Sequence, residues 1–290
     1  MNEAELSPHI AEEIKFNLEK LHGELVVDAH YNDVVKLLVA MGERLKAKAG
    51  KIGEMVGNKK GTTEEDVAIE RELGALIEGF KGSSILFSEE ERTDIPPDDA
   101  KEVWISDPIS NTKSFIEGRP GYAITLARQR EGETDFAVVY DAARGRMFTA
   151  YRGKGAFLNG RPIHIPENQS AEKSRVAAGG SNKKLKETFG DSLTDTDLFE
   201  RAKLTPQSVA LNTLKILEGE TDGAIILAKD VFPHFASQLI VAEAGGAFTN
   251  IKGNERLGYT DEIFVTAGSK ELHTKLLEFV QELARKKGIL

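Results

Sequence analysis

The chain predicts a layered α/β (α+β) fold, and two patterns carry that expectation. Between Tyr122 and Tyr151, runs of apolar and β-branched residues follow one another across tight turns, as in an antiparallel meander. Beyond Pro166, strand patterns alternate with helical ones, which places helices over a sheet. Two lobes are expected: an N-terminal α+β lobe at residues 1–165 and a C-terminal α/β lobe at 166–290. A chain of 290 residues has ample core for both.

In chain order, apolar residues at helical spacing predict helices over Pro8 to Leu21 and Asp28 to Ala49, the second through Val34, Leu37, Leu38, Met41 and Leu45. Gly50 to Gly61, with Lys51, Lys59 and Lys60, reads as a loop. A third helix starts at Thr62 or Thr63, where threonine caps and Glu64, Glu65 and Asp66 suit the positive end of the helix dipole. Val67, Ile69, Leu73, Leu76 and Ile77 form its apolar stripe. Ser84 to Phe87 is a strand running into Glu89, Glu90 and Glu91, and the next strand ends at Asp107. Strands over Tyr122 to Arg130, Asp135 to Tyr140 and Arg146 to Tyr151 turn at Glu131-Gly132 and Arg144-Gly145. The tight region Arg152 to Gly160 closes the first lobe. The second lobe reads as strands at Ser174 to Ala178, Gly223 to Leu227, Ala247 to Asn250 and Glu262 to Val265. Its helices are expected at Ser181 to Phe189, Ser208 to Leu217, His234 to Ala244 and Ser269 to Arg285.

Composition excludes several function classes. A net charge of -9 with only short basic runs argues against a nucleic-acid partner. No apolar run reaches the length of a membrane helix, and the acidic opening is no secretory signal, so no membrane partner is expected. With zero cysteines there is no disulfide, thiolate metal site or cysteine nucleophile, and a cytoplasmic location is the simplest expectation.

Acids at element ends supply the chemistry. Glu89 and Asp107 end neighbouring strands and can reach one sheet edge, with Asp66 and Glu90 as further acids. The turn Asp107-Pro-Ile-Ser-Asn-Thr-Lys113 adds the Ile109 carbonyl, the Ser110 and Thr112 hydroxyls, the Asn111 amide and the Lys113 cation. These residue types also make ordinary polar turns. Gathered carboxylates repel, however, and a divalent cation compensates them. An all-oxygen set suits magnesium, which binds carboxylates, waters and phosphate oxygens together.

The order Asp66, Glu89-Glu90, Asp107-Pro-Ile-Ser-Asn-Thr112 and Glu243-Ala-Gly245-Gly246 resembles the inositol monophosphatase family of lithium-sensitive, magnesium-dependent phosphatases, which includes fructose-bisphosphatases. Gly153 to Gly160 and Ser208-Val-Ala-Leu211 are similar to further family segments. The resemblance implies an αβαβα sandwich with an antiparallel and a mixed sheet, hydrolysis of a small phosphate monoester, and a homodimer. It also implies that Glu89, Asp107 and Ile109 bind one Mg2+, that Asp66 and Thr112 orient the attacking water, and that Glu90 supports them. Ser110, Asn111, Thr112, Lys113, Ser208 and His234 would then meet the phosphorylated substrate. The Gly-x-Gly of Gly153 and Gly155 is a hairpin feature and no dinucleotide loop, since it opens no helix.

The pattern breaks at the second Mg2+ site. Ser110 stands where the family has its second aspartate, Phe232-Pro233 where it has Trp-Asp, and Ile226 where it has a polyol-contacting glutamate. Three repairs are open: Lys113 as a fixed charge for phosphate, His234 as a general acid or ligand for a softer metal, or Asp230 reaching in; against each stands the plainer reading of a solvated Lys113, a satisfied His234 or a helix-capping Asp230. The alternative is a pseudophosphatase that keeps the fold as a binding or regulatory module.

Overall fold

The computed structural model describes residues 30–52, 61–80, 84–166, 174–203 and 205–290. The helix expected over Pro8 to Leu21, and most of the Gly50 to Gly61 loop, lie outside the described residues. The helices are α1 (His30–Lys48), α2 (Glu64–Glu78), α3 (Thr112–Ile116), α4 (Lys183–Phe189), α5 (Val209–Leu214), α6 (Phe232–Glu243) and α7 (Lys270–Lys286). The strands are β1 (Ser84–Ser88), β2 (Glu102–Ser110), β3 (Ala123–Arg130), β4 (Glu133–Asp141), β5 (Arg146–Tyr151), β6 (Gly155–Leu158), β7 (Arg161–Ile163), β8 (Arg175–Gly180), β9 (Glu200–Ala202), β10 (Gly223–Leu227), β11 (Ala247–Asn250) and β12 (Ile263–Ala267).

Strands β1 to β7 form one sheet in sequence order, and a second sheet runs β11-β12-β10-β8-β9. The first is antiparallel except that β1 joins β2 in parallel; the second is mixed, with β8 parallel to β9 and β10. The layering follows from alternation along each strand. Trp104, Leu126 and Val138 point to a core shared with α1 and α2. Their neighbours Val103, Ile105, Ala127 and Val139 point the other way, to a core shared with α5, α6 and the facing side of the second sheet through Ala224 and Ile226. On that sheet's far side Ile225 and Leu227 pack with Leu185 of α4 and Leu276 of α7. The result is the expected αβαβα sandwich. Among the described residues no helix is long and apolar enough to cross a membrane.

Several local outcomes differ from the sequence reading. Strand β2 does not end at Asp107: it continues to Ser110, past a register shift in which Asp107 pairs with Thr125 and Ser110 with Ala123. One extra residue is therefore accommodated, and Pro108, which has no amide to donate, sits in that bulge. Helix α5 is shorter than expected, ending at Leu214. On α2, Val67 and Leu76 are only half-buried, while the acids Glu65, Asp66 and Glu70 are buried.

Candidate active site

A cavity of about 420 Å3 opens where the carboxyl ends of both parallel pairs meet. Glu89 follows β1, Asp107, Ile109 and Ser110 end β2, Gly179 and Gly180 end β8, and Lys229 and Asp230 follow β10; all line it. Strand ends suit a ligand site because the chain leaves the sheet there and its polar groups lose their ladder partners.

Asp66 is placed by a capping box: the Thr63 amide donates to Asp66 Oδ2 at 2.8 Å, and the Thr63 hydroxyl donates to the same oxygen at 2.5 Å. The Thr112 hydroxyl lies 2.9 Å from the Ile109 carbonyl oxygen and 3.2 Å from Asp66 Oδ1, so its single proton is shared between two acceptors. Burial pushes the Asp66 carboxyl up to about 7, with the Glu90 charge adding to the rise and the Thr63 and Thr112 hydrogen bonds opposing it. That range suits a group that takes a proton near neutral pH. Glu90 accepts from the Thr62 hydroxyl at 2.8 Å.

Asp107 is 4% exposed, and its Oδ1 is buried with no hydrogen-bond partner. Burial first, then the charges of Glu89 and Asp230, hold its carboxyl well above the usual carboxylate range, opposed by a hydrogen bond from Ser110. An orphaned buried oxygen among like charges is expensive, and a cation relieves both costs. Among the described residues no three acidic or imidazole groups converge as a closed cage. Magnesium does not require one, because it keeps waters and uses one or two carboxylates with substrate phosphate oxygens. Glu89, Asp107 and the Ile109 carbonyl therefore fit the ion that the sequence implies.

Ser110 and Asn111 line the cavity as expected. Asn111 adopts a left-handed conformation, φ 69°, and its amide donates to the Ser114 hydroxyl at 2.7 Å and the Gly121 carbonyl at 3.2 Å. Lys113 and Ser208 stand away from the cavity, and His234 lines it in a buried, neutral form. The Lys113 side chain is 79% exposed, 4.0 Å from Glu117, and does not line the cavity; as the second residue of α3 it points outward to solvent. Ser208 is buried behind the wall, where its hydroxyl donates to Ser110 Oγ at 2.8 Å and caps α5 through the Ala210 amide. It supports Ser110 and does not itself line the cavity. His234 lines the cavity but is 1% exposed, stacked 4.4 Å from Phe264, with Nδ1 unpartnered. Burial lowers it to about 3, so it is neutral at physiological pH and cannot act as a general acid there.

The sequence reading missed Ser181, Thr205, Gln207, Asn212, Thr213 and Lys229 as lining residues. Asn212 organises that wall: its Oδ1 accepts from the Thr205 amide at 3.3 Å and its Nδ2 donates to the carbonyls of Thr205 and Gln207 at 3.0 and 3.3 Å. Asn212 lies on the α5 pattern already recognised, but only the packed loop reveals its role. Lys229-Asp230, polar residues directly after an apolar strand, were the available signal for a strand-end site.

The inositol monophosphatase family pattern matches residues 28–285. A Thermotoga maritima protein named fructose-1,6-bisphosphatase/inositol-1-monophosphatase is 28% identical over 260 residues, spanning 88% of this chain and 96% of its own. The Nus factor SuhB of Escherichia coli K12 is 29% identical over 180 residues, 60% of this chain and 66% of its own. Among solved structures, the Thermotoga maritima inositol monophosphatase superposes with a TM-score of 0.73 at 27% identity, covering 89% of this chain and 98% of that one.

Proposed function

The chain belongs to the inositol monophosphatase family, and from that premise we propose that it is a metal-dependent phosphatase hydrolysing a small phosphate monoester by attack of an activated water. The observation that carries this reading is the orphaned Asp107 carboxylate, crowded by Glu89 and Asp230, beside the Asp66–Thr112–Ile109 chain. Glu89, Asp107 and the Ile109 carbonyl would hold a magnesium ion, whose chemistry is to neutralise charge building on the phosphoryl group. Asp66 accepts the proton of the attacking water while Thr112 orients it, and Glu90 raises the basicity of Asp66 through its charge. The amides around Asn111 and Thr112, with Ser110, receive the phosphate. The ester's organic part faces Ile226, Val209, Gln207 and Lys229. Because Ile226 is apolar where the family has a polyol-contacting glutamate, sugar phosphates and phosphonucleotides stand beside inositol phosphates as candidates. In this reading the protein is cytoplasmic, in keeping with its lack of cysteine, and homodimeric like the family.

Magnesium titration of the purified protein, with phosphate release from sugar phosphates, inositol phosphates and phosphonucleotides, tests the proposal. Binding with turnover is expected, and absence of both overturns it. Ser110 and Pro233, standing in place of two carboxylates, favour a second reading in which the fold serves as a binding or regulatory module. A large gain of activity in Ser110→Asp with Pro233→Asp from an inactive parent supports that reading, and an active parent sinks it.

A further inference from the structure

Helix α2 carries another buried acid that this chemistry leaves unused. Glu70 is 0% exposed and one turn beyond Asp66, so the two carboxylates share a face of the helix. Its Oε2 accepts from the Glu90 amide at 3.0 Å and its Oε1 from the Glu91 amide at 2.9 Å. Burying a carboxylate is costly, and amide donors to the charged form are one way to offset that cost. Here both donors come from the turn that follows Glu89. The same end of the helix also grips this turn from a second side, through the Thr62 hydroxyl on Glu90 Oε2 at 2.8 Å. On its other flank the Glu89 amide donates at 3.2 Å to the carbonyl of Ser106, the β2 residue directly before Asp107. Glu89 is thus held between β2, which carries Asp107, and the helix that carries Asp66.

We propose that Glu70 is a positioning residue for the metal site: by fixing the Glu90 and Glu91 amides it sets where the Glu89 carboxylate stands relative to Asp107 and Asp66. This rests on the reading of Glu89 and Asp107 as magnesium ligands. Replacing one oxygen of Glu70 by an amide nitrogen sets donor against donor and releases one side of the turn, without changing the size of the side chain.

Calorimetric titration of the full chain with magnesium chloride is the test, run where circular dichroism shows each variant fully folded. Wild type, Glu70→Gln, Thr62→Val and Asp141→Asn are compared. Asp141 is a buried acid paired with Arg144 and Arg146 at 2.9 and 3.2 Å, so its loss reports stability alone. Glu70→Gln is expected to weaken magnesium binding roughly 10-fold or more, the range seen when groups orienting metal ligands are removed. Asp141→Asn lowers Tm and leaves the affinity unchanged. Wild-type affinity in folded Glu70→Gln overturns the proposal. If that variant does not fold, Thr62→Val decides: a few-fold loss supports the inference, and wild-type affinity overturns it. A wild-type protein that neither binds magnesium nor releases phosphate overturns the phosphatase reading itself, a failure visible in the parent and so distinct from the first.

Discussion

On one side of the cavity Thr112 and Ile109 line the wall and are joined through a continuous hydrogen-bonded chain to Asp66 and Thr63, buried behind them. On the other, Ser110 leans on Ser208, Pro233 offers no carboxylate, and Nδ1 of His234 has no partner. The first wall is assembled from a helix start and a bulged strand end, with Asp66 fixed by Thr63 and Thr112. The second is assembled from Ser110 at the end of β2, with α5, α6 and the end of β10. Yet the second wall still reaches the first, because the Asp230 charge acts on Asp107.

The largest expected effect breaks the first wall. Asp107→Asn should abolish magnesium binding and lower turnover on the order of a thousandfold, as expected when electrostatic stabilisation of a transition state is lost. The metal-free variant should nevertheless be more stable than wild type, because a buried carboxylate whose pKa is raised destabilises the fold at neutral pH. Equilibrium urea unfolding in chelator reads the second outcome. Asp66→Asn should lower kcat by about 10²–10⁴, the range for a lost general base, while magnesium affinity by calorimetry stays near wild type.

Four variants with smaller effects follow, three on the second wall and one, at Lys113, outside the cavity. His234 is held at about 3 by burial, so between an ordinary imidazole pKa of about 6.5 and that value the unfolded chain binds a proton that the native one refuses. Stability attributable to this residue is therefore full above pH 6.5 and falls by about 1.4 kcal/mol per pH unit below it. His234→Phe should flatten that part of the stability profile, measured as a difference of urea midpoints from wild type. Ser110→Asp adds a carboxylate beside Asp107 and should cost about 1–3 kcal/mol without metal, the scale of an uncompensated buried polar group. Added magnesium should return part of that loss of Tm. Lys113→Ala should change kcat/KM by less than about twofold, since exposed ion pairs contribute little; Lys229→Ala, on the cavity wall, should raise KM more.

Much of the first wall was legible from local sequence because local chemistry builds it. Thr63 with Asp66 three residues on makes its own capping box, and Asp-Pro at a strand's end announces an interruption of the ladder. Even there, the strand's continuation to Ser110 was hidden, since a bulge depends on the register with β3. Lys113 and Ser208 were misjudged for a related reason. Spacing brought each near the site, but the turn of a short helix carries Lys113 outward, and the cap of α5 turns Ser208 behind the wall. His234 reads as titratable until the aromatic core around it is known.

The order of acids and glycines determined the family and the layers, because period-two and helical patterns record which face each element buries. Tertiary structure alone decided the cavity's second wall and the charge state of its groups. Asp230 meets Asp107, and Glu70 meets the turn after Glu89, across separations in sequence that no periodicity spans. Burial, which sets the pKa of Asp66, Asp107 and His234, is a property of everything packed around a residue and of nothing in the residue itself.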